Sequence, residues 1–247
     1  MSMLSNRKTA ILMGLYLSKF DEMAIQALGF KGSVEAFNTL GYAIGTKPAS
    51  IKNYRDEFDP YFNNPRKGWH NRPLREYCKL VLEEYQNVDF NEFTELIKSN
   101  LIENYPVEQF VDSILQRDHS ESVAKRLVTG KAAEEFFREN YLSIPQFENF
   151  TLKDATLLAC GFDFKLEKES DYYCVEVKGL QGKSGTVTFT EKEYAMAEKL
   201  CDAFALYVVT NFVEKPTPKL IFNPLKSALR FMKTEKLINQ ISFSASF

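Results

Sequence analysis

Apolar residues recur along the first 115 or so residues at intervals of three and four, the period of a helix with one buried face. The spacing predicts helices over Leu4–Leu17, Met23–Leu28, Val34–Ile44, Ser50–Phe58, Leu74–Tyr85 and Phe90–Asn100. From about Val128 the pattern changes. Gly130–Tyr141 keeps the helical period, with Ala133, Phe136 and Phe137 as its apolar contacts. Short runs rich in β-branched and aromatic residues follow, punctuated by glycine and proline. They predict a strand within Asp154–Phe164, a second over Tyr172–Lys178, a short third over Thr186–Phe189, a helix over Glu191–Ala203 and a strand over Leu206–Phe212. Pro216 and Pro218 are expected to break that last strand, and Leu220–Phe222 to return as an edge strand. The expected architecture is mixed α/β: an all-helical N-terminal domain (1–115), then a domain (116–247) with an αβββαβ core and a central mixed sheet. The boundary is expected between Asn104 and Arg126, inside a helical connector.

The totals narrow the picture. A chain of 247 residues, 45% hydrophobic and 26% charged, can bury a full core. The formal net charge is −2, so any nucleic-acid surface must be local. Cys78, Cys160, Cys174 and Cys201 form no CxxC pair, which argues for free thiols in a reducing compartment over zinc or a disulfide framework. The apolar run Ala10–Leu17 is too short to span a bilayer and lacks a cleavage-site pattern, so it reads as a core helix. The chain is expected to be cytoplasmic, with no membrane partner.

The richest stretch for chemistry is Gly161–Gly179. Asp163 lies at the end of one apolar run, and Cys174-Val175-Glu176-Val177-Lys178-Gly179 closes the next. Side chains alternate along a strand, so Glu176 and Lys178 share one face and Val175 and Val177 the other. Two carboxylates and an ammonium can then meet at one sheet edge. Mg²⁺, for which Mn²⁺ can substitute, takes hard oxygen ligands of this kind. Asp163, Glu176 and the backbone carbonyl of Val177 are the candidate donors, and Lys178 is placed to orient a water or to offset charge on a phosphodiester. The plainer alternative for Glu176 and Lys178 is a surface pair on one strand.

This Asp…Glu-x-Lys pattern resembles the PD-(D/E)xK nuclease superfamily, which includes many restriction endonucleases. Within it the wording is similar to the NO VEIN C-terminal type: Gly130-x-x-Ala133-Glu134, then Gly161-x-Asp163, then Glu176-Val177-Lys178, then Thr190-x-x-Glu193. The resemblance implies a metal-dependent nuclease with Asp163, Glu176, Lys178 and Glu134 as catalytic residues. It places Glu134, rather than Glu135, at the metal, directly or through water. For Glu193 two readings stay open, a capping box with Thr190 or a catalytic role.

The N-terminal half carries a second signal. Helix, turn and helix are expected across Ser33–Ile44, Gly45–Lys47 and Pro48–Phe58, with Ile51, Tyr54 and Phe58 inward and Ser50, Lys52, Asn53 and Arg55 more exposed. A basic loop follows, holding Arg66, Lys67, Trp69, His70, Arg72 and Arg75. From Gly45 to Leu80 the excess of Lys and Arg over Asp and Glu makes a local positive patch. Lys47 and these residues are the candidate DNA contacts, joined by Gln181 and Lys183 beyond the Glu-x-Lys strand; a solvated loop and a core-filling Trp69 are the plainer alternatives. His70 and His119 form no metal motif. Taken together, the expectation is a type II-like restriction endonuclease cutting double-stranded DNA and leaving 5′-phosphates. Cutting both strands implies a homodimer, and restriction implies a cognate DNA methyltransferase. A modification-dependent or repair nuclease, or a non-catalytic DNA-binding protein, are the alternatives.

Overall fold

A computed structural model describes residues 5–69, 71–102 and 123–235. His70, His119 and most of the expected domain boundary lie outside the described residues. The N-terminal half is helical: α1 (Asn6–Ala27), α2 (Ser33–Ala43), α3 (Pro48–Phe58), α4 (Glu76–Tyr85) and α5 (Phe90–Ile102). Then come α6 (Val123–Asn140), β1 (Thr151–Asp154), β2 (Phe164–Lys168), β3 (Asp171–Gly179), α7 (Glu191–Leu200), β4 (Phe204–Thr210) and β5 (Thr217–Phe222). This is the mixed α/β class expected, a helical region followed by a five-stranded mixed sheet with flanking helices.

The sheet order is β1-β2-β3-β4-β5. Strands β1 to β3 form an antiparallel meander, β4 joins β3 in parallel, and β5 returns antiparallel on β4. The parallel step needs a crossover, and α7 provides it. Strand β4 is buried at every position, which explains its unbroken apolar sequence. On one face of the sheet Phe137 of α6 packs 5.1 Å from Phe164 and 4.8 Å from Tyr207, ring centre to ring centre.

Three expected elements come out differently. Thr186–Phe189 is not a strand. Both edges of β4 are taken, by β3 and β5, so this β-branched run has no central place to pair. The true first strand is Thr151–Asp154, and most of Asp154–Phe164 is a turn rather than a strand. Asp154 ends β1 by accepting from the Thr156 N–H (2.9 Å) and hydroxyl (2.6 Å). The chain then passes through left-handed backbone at Ala159 and Gly161. Asp163 therefore precedes β2 instead of ending a strand. Finally, Pro218 lies inside β5, opposite Val209. A proline is tolerated there because β5 is an edge strand.

In the helical layer the runs Leu4–Leu17 and Met23–Leu28 fall on the two arms of α1, which non-helical backbone at Asp21 separates. Arg66 holds the kink from outside, pairing with Asp21 and with buried Asp59 (2.9 Å), which also accepts from Ser18 Oγ (2.8 Å). Helices α1 and α3 cross at Gly14. A Cβ there would lie 2.4 Å from Tyr54 Cβ and 2.8 Å from the Arg55 nitrogen.

Alanine normally favours a helix over glycine by about 1 kcal/mol. At Gly14 the clash is with atoms fixed to the α3 backbone, and overpacking costs about 1–3 kcal/mol. The overpacking should win. Gly14→Ala is expected to lower the midpoint of thermal unfolding, measured by circular dichroism; an unchanged or raised midpoint would show that the crossing can open at no cost.

Candidate active site

The candidate site forms where β2 begins beside the end of β3. The Asp163 N–H donates to the Val175 carbonyl (3.0 Å), and the Asp163 carbonyl accepts from the Ala155 N–H (2.8 Å). With its backbone clamped on both sides, Asp163 turns its carboxylate along β3, where Oδ2 accepts from the Val177 N–H (2.8 Å). The amide that orients Asp163 therefore belongs to the residue between Glu176 and Lys178. Carbonyls two residues apart on a strand point the same way. The Val175 carbonyl faces β2, so the Val177 carbonyl faces the same side, towards Asp163.

Alternation along β3 does what the sequence predicts. Val175 and Val177 enter the core, while Glu176 and Lys178 share the opposite face. Lys178 Nζ lies 2.6 Å from Glu176 Oε1 and 2.9 Å from Glu193 Oε2. The Phe189 ring centre is 5.9 Å from the same ammonium. Glu176 is almost fully buried, so this is no solvated surface pair. Glu193 sits at the third position of α7. The capping box expected with Thr190 is present in both directions, with the Thr190 N–H donating to Glu193 Oε2 at 2.9 Å. The same carboxylate oxygen serves the helix cap and Lys178.

Helix α6 brings Glu134. The helix can approach β3 closely because Gly179 has no side chain: a Cβ would lie 2.6 Å from the Thr129 carbonyl oxygen and 3.1 Å from Ala133 Cβ. Ala132 and Ala133 are fully buried at this contact. Glu134, the next residue, carries its carboxyl near enough to Asp163 and Lys178 for their charges to shift its proton affinity. Glu135 points elsewhere, pairing with Arg138. The two adjacent glutamates thus have different surroundings. Arg138 also pairs with Asp154, and its guanidinium lies 5.4 Å from the Phe164 ring centre.

The electrostatics are strained in one direction. Burial, with the neighbouring Asp163 charge, pushes Glu134 up to about 8. Burial pushes Asp163 up to about 6 against the pull of Lys178. Burial and Asp163 hold Glu176 well above the usual carboxylate range. Burial would lower Lys178, but Glu176, Glu193 and Asp163 outweigh it and hold the ammonium firmly charged. Burial also works against ionised Glu193, yet Lys178 and hydrogen bonds from Glu176 and the Thr190 amide keep it below the usual range. One lysine is shared among several buried acids.

Sequence reasoning missed two contributors. Asp154 raises both Asp163 and Glu134 by its charge, and its Asp-x-Thr turn was the available signal. Phe189 lies against Lys178 from a stretch expected to be a strand. Among the described residues no three His, Cys, Asp or Glu side chains are grouped closely enough to hold a metal ion by themselves.

The proposed DNA contacts divide into two groups. Lys47, Asn53, Lys67 and Arg72 are exposed, Ser50 is half-buried, and Arg72 stacks 3.5 Å above the Trp69 ring. The others have protein partners. Arg55, expected among the exposed residues, is largely covered: it pairs with Asp56 (2.7 Å) and lies over Phe37. Exposed Lys52 pairs with Asp56 as well (2.6 Å). Arg66 is engaged with Asp21 and Asp59, and Arg75 with buried Glu57. The Gln181 amide donates to the Thr129 hydroxyl and so faces α6, and Lys183 pairs with Glu214 (2.9 Å).

Residues 133–221 match the family described as Protein NO VEIN, C-terminal, a domain associated with a nuclease-like fold. The matched stretch runs from within α6 into β5 and contains Glu134, Asp163, Glu176, Lys178 and Glu193. The N-terminal helices lie outside it. No curated protein and no solved structure matches the chain.

A pH dependence follows from the raised carboxyls. In the folded chain Glu134, Asp163 and Glu176 bind protons more tightly than in the unfolded chain. Their contribution to stability is complete below the ordinary carboxylate range and is lost as pH rises through about 6 and about 8. The protein in chelator should unfold at a lower temperature at pH 8 than at pH 5.5. Glu134→Gln should flatten that slope, as read by calorimetry. A parent curve that rises between these pH values would contradict the burial of these charges.

Proposed function

We propose that this chain is a Mg²⁺-dependent DNA endonuclease of the type II-like restriction kind, with Mn²⁺ able to substitute. The observation that carries the reading is the meeting of Asp163, Glu176, Lys178 and Glu134 where β2 begins beside the end of β3, inside the stretch similar to the NO VEIN C-terminal family. The donor set fits Mg²⁺ in kind. That ion commonly takes one or two carboxylates and keeps several waters, so it needs no cage of three protein carboxylates. Asp163 has one oxygen engaged with the chain, by the Val177 amide, and Glu176 contacts Lys178 and Glu193; the Asp163 and Glu176 carboxylates, with the Val177 carbonyl, would hold the ion, and Glu134 would act directly or through a water. A divalent cation there supplies positive charge to a phosphodiester and lowers the pKa of its water.

The chain's own residues do the rest. The Val177 amide holds Asp163 in one orientation. Lys178 offers a permanent positive charge at the rim, suited to steering a water or to stabilising the charge that builds on phosphorus. The buried, acid-rich edge excludes phosphate until a cation arrives. Duplex cleavage by one site per chain calls for a homodimer on DNA. Double-stranded DNA, and a cognate DNA methyltransferase that protects the host, are the proposed partners. No described helix is long and apolar enough to cross a membrane, and a cytoplasmic location is part of the same proposal.

Incubating plasmid with the protein, with and without Mg²⁺, tests the reading, and sequencing the ends should find 5′-phosphates. Asp163→Ala and Glu176→Ala should abolish cutting while DNA binding persists. Lys178→Met keeps the aliphatic stem and should cut orders of magnitude more slowly while remaining folded. Parent-like cutting by any of the three would remove that residue from the active site.

The two groups of N-terminal residues predict different binding behaviour. Lys67→Ala and Lys47→Ala should weaken binding to all DNA sequences and reduce the salt dependence of affinity by about one unit per phosphate contact. Arg66→Ala and Arg75→Ala should instead lower the unfolding temperature, because each leaves a buried carboxylate without its partner. Fluorescence anisotropy at two salt concentrations, beside thermal unfolding, separates the two. Equal salt slopes for parent and Lys67→Ala would move the DNA interface away from this loop.

A further inference from the structure

Lys178 lies within ion-pair distance of Glu176, and its own long stem is flexible by nature. Three neighbours restrain it: Glu176 at 2.6 Å, Glu193 at 2.9 Å and the Phe189 ring at 5.9 Å. Glu176 is also a proposed metal donor, so its grip on Lys178 is open to competition. Glu193 has an anchor besides its hydrogen bond with Glu176. It sits in the first turn of α7, and its carboxylate is tied back to the Thr190 amide at 2.9 Å. In a capping box the third-position glutamate reaches back to the N-cap amide. Here its side chain is only 15% exposed, and it reaches across from the helix to the strand.

We propose that Glu193 is the positioning residue for Lys178, using the helix cap as a rigid bracket for the ammonium. The inference rests on the nuclease reading above for its effect on turnover, but not for the contact itself. The cap fixes the Glu193 carboxylate; the carboxylate fixes Lys178; Lys178 then keeps its place whatever Glu176 binds. Glu193 need touch neither substrate nor metal to do this.

The proposal separates two roles of one helix turn, and three variants separate them in practice. Thr190→Ala removes the hydroxyl that accepts from the Glu193 N–H (3.3 Å) but leaves the carboxylate in place. It should lower the unfolding midpoint and leave turnover per folded molecule within about twofold of the parent. Glu193→Ala should lower kcat by about 10- to 100-fold, the usual scale for losing a supporting group, with KM for DNA unchanged. Glu193→Gln keeps an oxygen that can accept from both the Thr190 amide and Lys178, so it should recover part of the loss. A second readout does not depend on cleavage: acylation of lysines by a water-soluble N-hydroxysuccinimide ester, followed by peptide mass spectrometry. In Glu193→Ala the Lys178 amine should be labelled several-fold faster than in the parent, while exposed Lys67 is labelled at the same rate in both. Unchanged Lys178 labelling in Glu193→Ala would overturn the proposal. So would a Thr190→Ala protein that loses as much turnover as Glu193→Ala. If the parent itself does not cut DNA, the nuclease reading fails, and the labelling ratio alone still decides whether Glu193 holds Lys178.

Discussion

The close approach of α6 to β3 at Gly179 is the contact on which both halves of the molecule depend. Thr129 and Ala133 fill the space that any side chain at Gly179 would need. One face of α6 thereby seals the sheet through Phe137, and the residue after Ala133 is delivered to the site. Its other face receives the N-terminal helices. Tyr42 of α2 meets Phe136 edge to face at 5.1 Å, and a buried ion pair joins Lys125 to Glu35 at 2.8 Å. Asn38 donates to the carbonyls of Phe212 (2.8 Å) and Glu214 (3.1 Å) at the end of β4. A single helix thus fixes Glu134 relative to β3 while also bearing the helical layer. A shift of α2 therefore reaches the candidate site through α6, and also through the turn after β4 that Asn38 holds.

The charge at the site is out of balance in a way that packing alone does not explain. Buried ion pairs are weak sources of stability, and apolar replacements often do as well. Here the chain keeps Glu134, Asp163 and Glu176 together in a desolvated edge with Lys178 as their shared counter-charge, and all three carboxyls respond by holding protons more tightly. Such a cost is typical of sites whose chemistry needs the groups. The raised carboxyls and the firmly charged lysine are two sides of one arrangement. Added positive charge would release the protons from the acids, while Glu193, already ionised, would keep Lys178 charged.

How far the sequence foretold this depends on whether the signal was local. The helices of the first half were legible because each has a one-sided apolar period. The split within α1 was legible as well, since the non-helical backbone at Asp21 falls between the two apolar runs. In the sheet, Tyr172–Lys178 and Leu206–Phe212 were legible within about two residues, as buried runs between turn signals. Thr186–Phe189 has the composition of a strand, but both sides of β4 are already paired, which is a property of the whole sheet. Leu157 and Leu158 mimic a strand too, yet both are exposed on the turn after β1. At the site, the meeting of Asp163 with Glu176 and Lys178 could be read from alternation and hairpin return. The bond from Lys178 to Glu193 could not, because it depends on where the crossover helix lands. A capping box describes a helix end, and nothing in its spacing says that the same oxygen will face a neighbouring strand.

The same distinction sorts the basic residues of the first half. A count of Lys and Arg between Gly45 and Leu80 treats every cation alike. In the fold, Arg66 and Arg75 make several donated hydrogen bonds each to Asp59 and Glu57, carboxylates that are almost fully buried. Guanidinium suits this work, since its planar fork can meet both oxygens of a carboxylate. These arginines hold the loop after α3 against α1 and α3. The exposed Lys67 and Arg72 are carried by the same loop. Arg66 and Arg75, two of the candidate DNA contacts, are thus part of the framework that would present the exposed cations. Local positive charge in a sequence therefore overstates the field available to a phosphate backbone, because carboxylates distant in sequence, such as Asp21, neutralise part of it once the chain has folded.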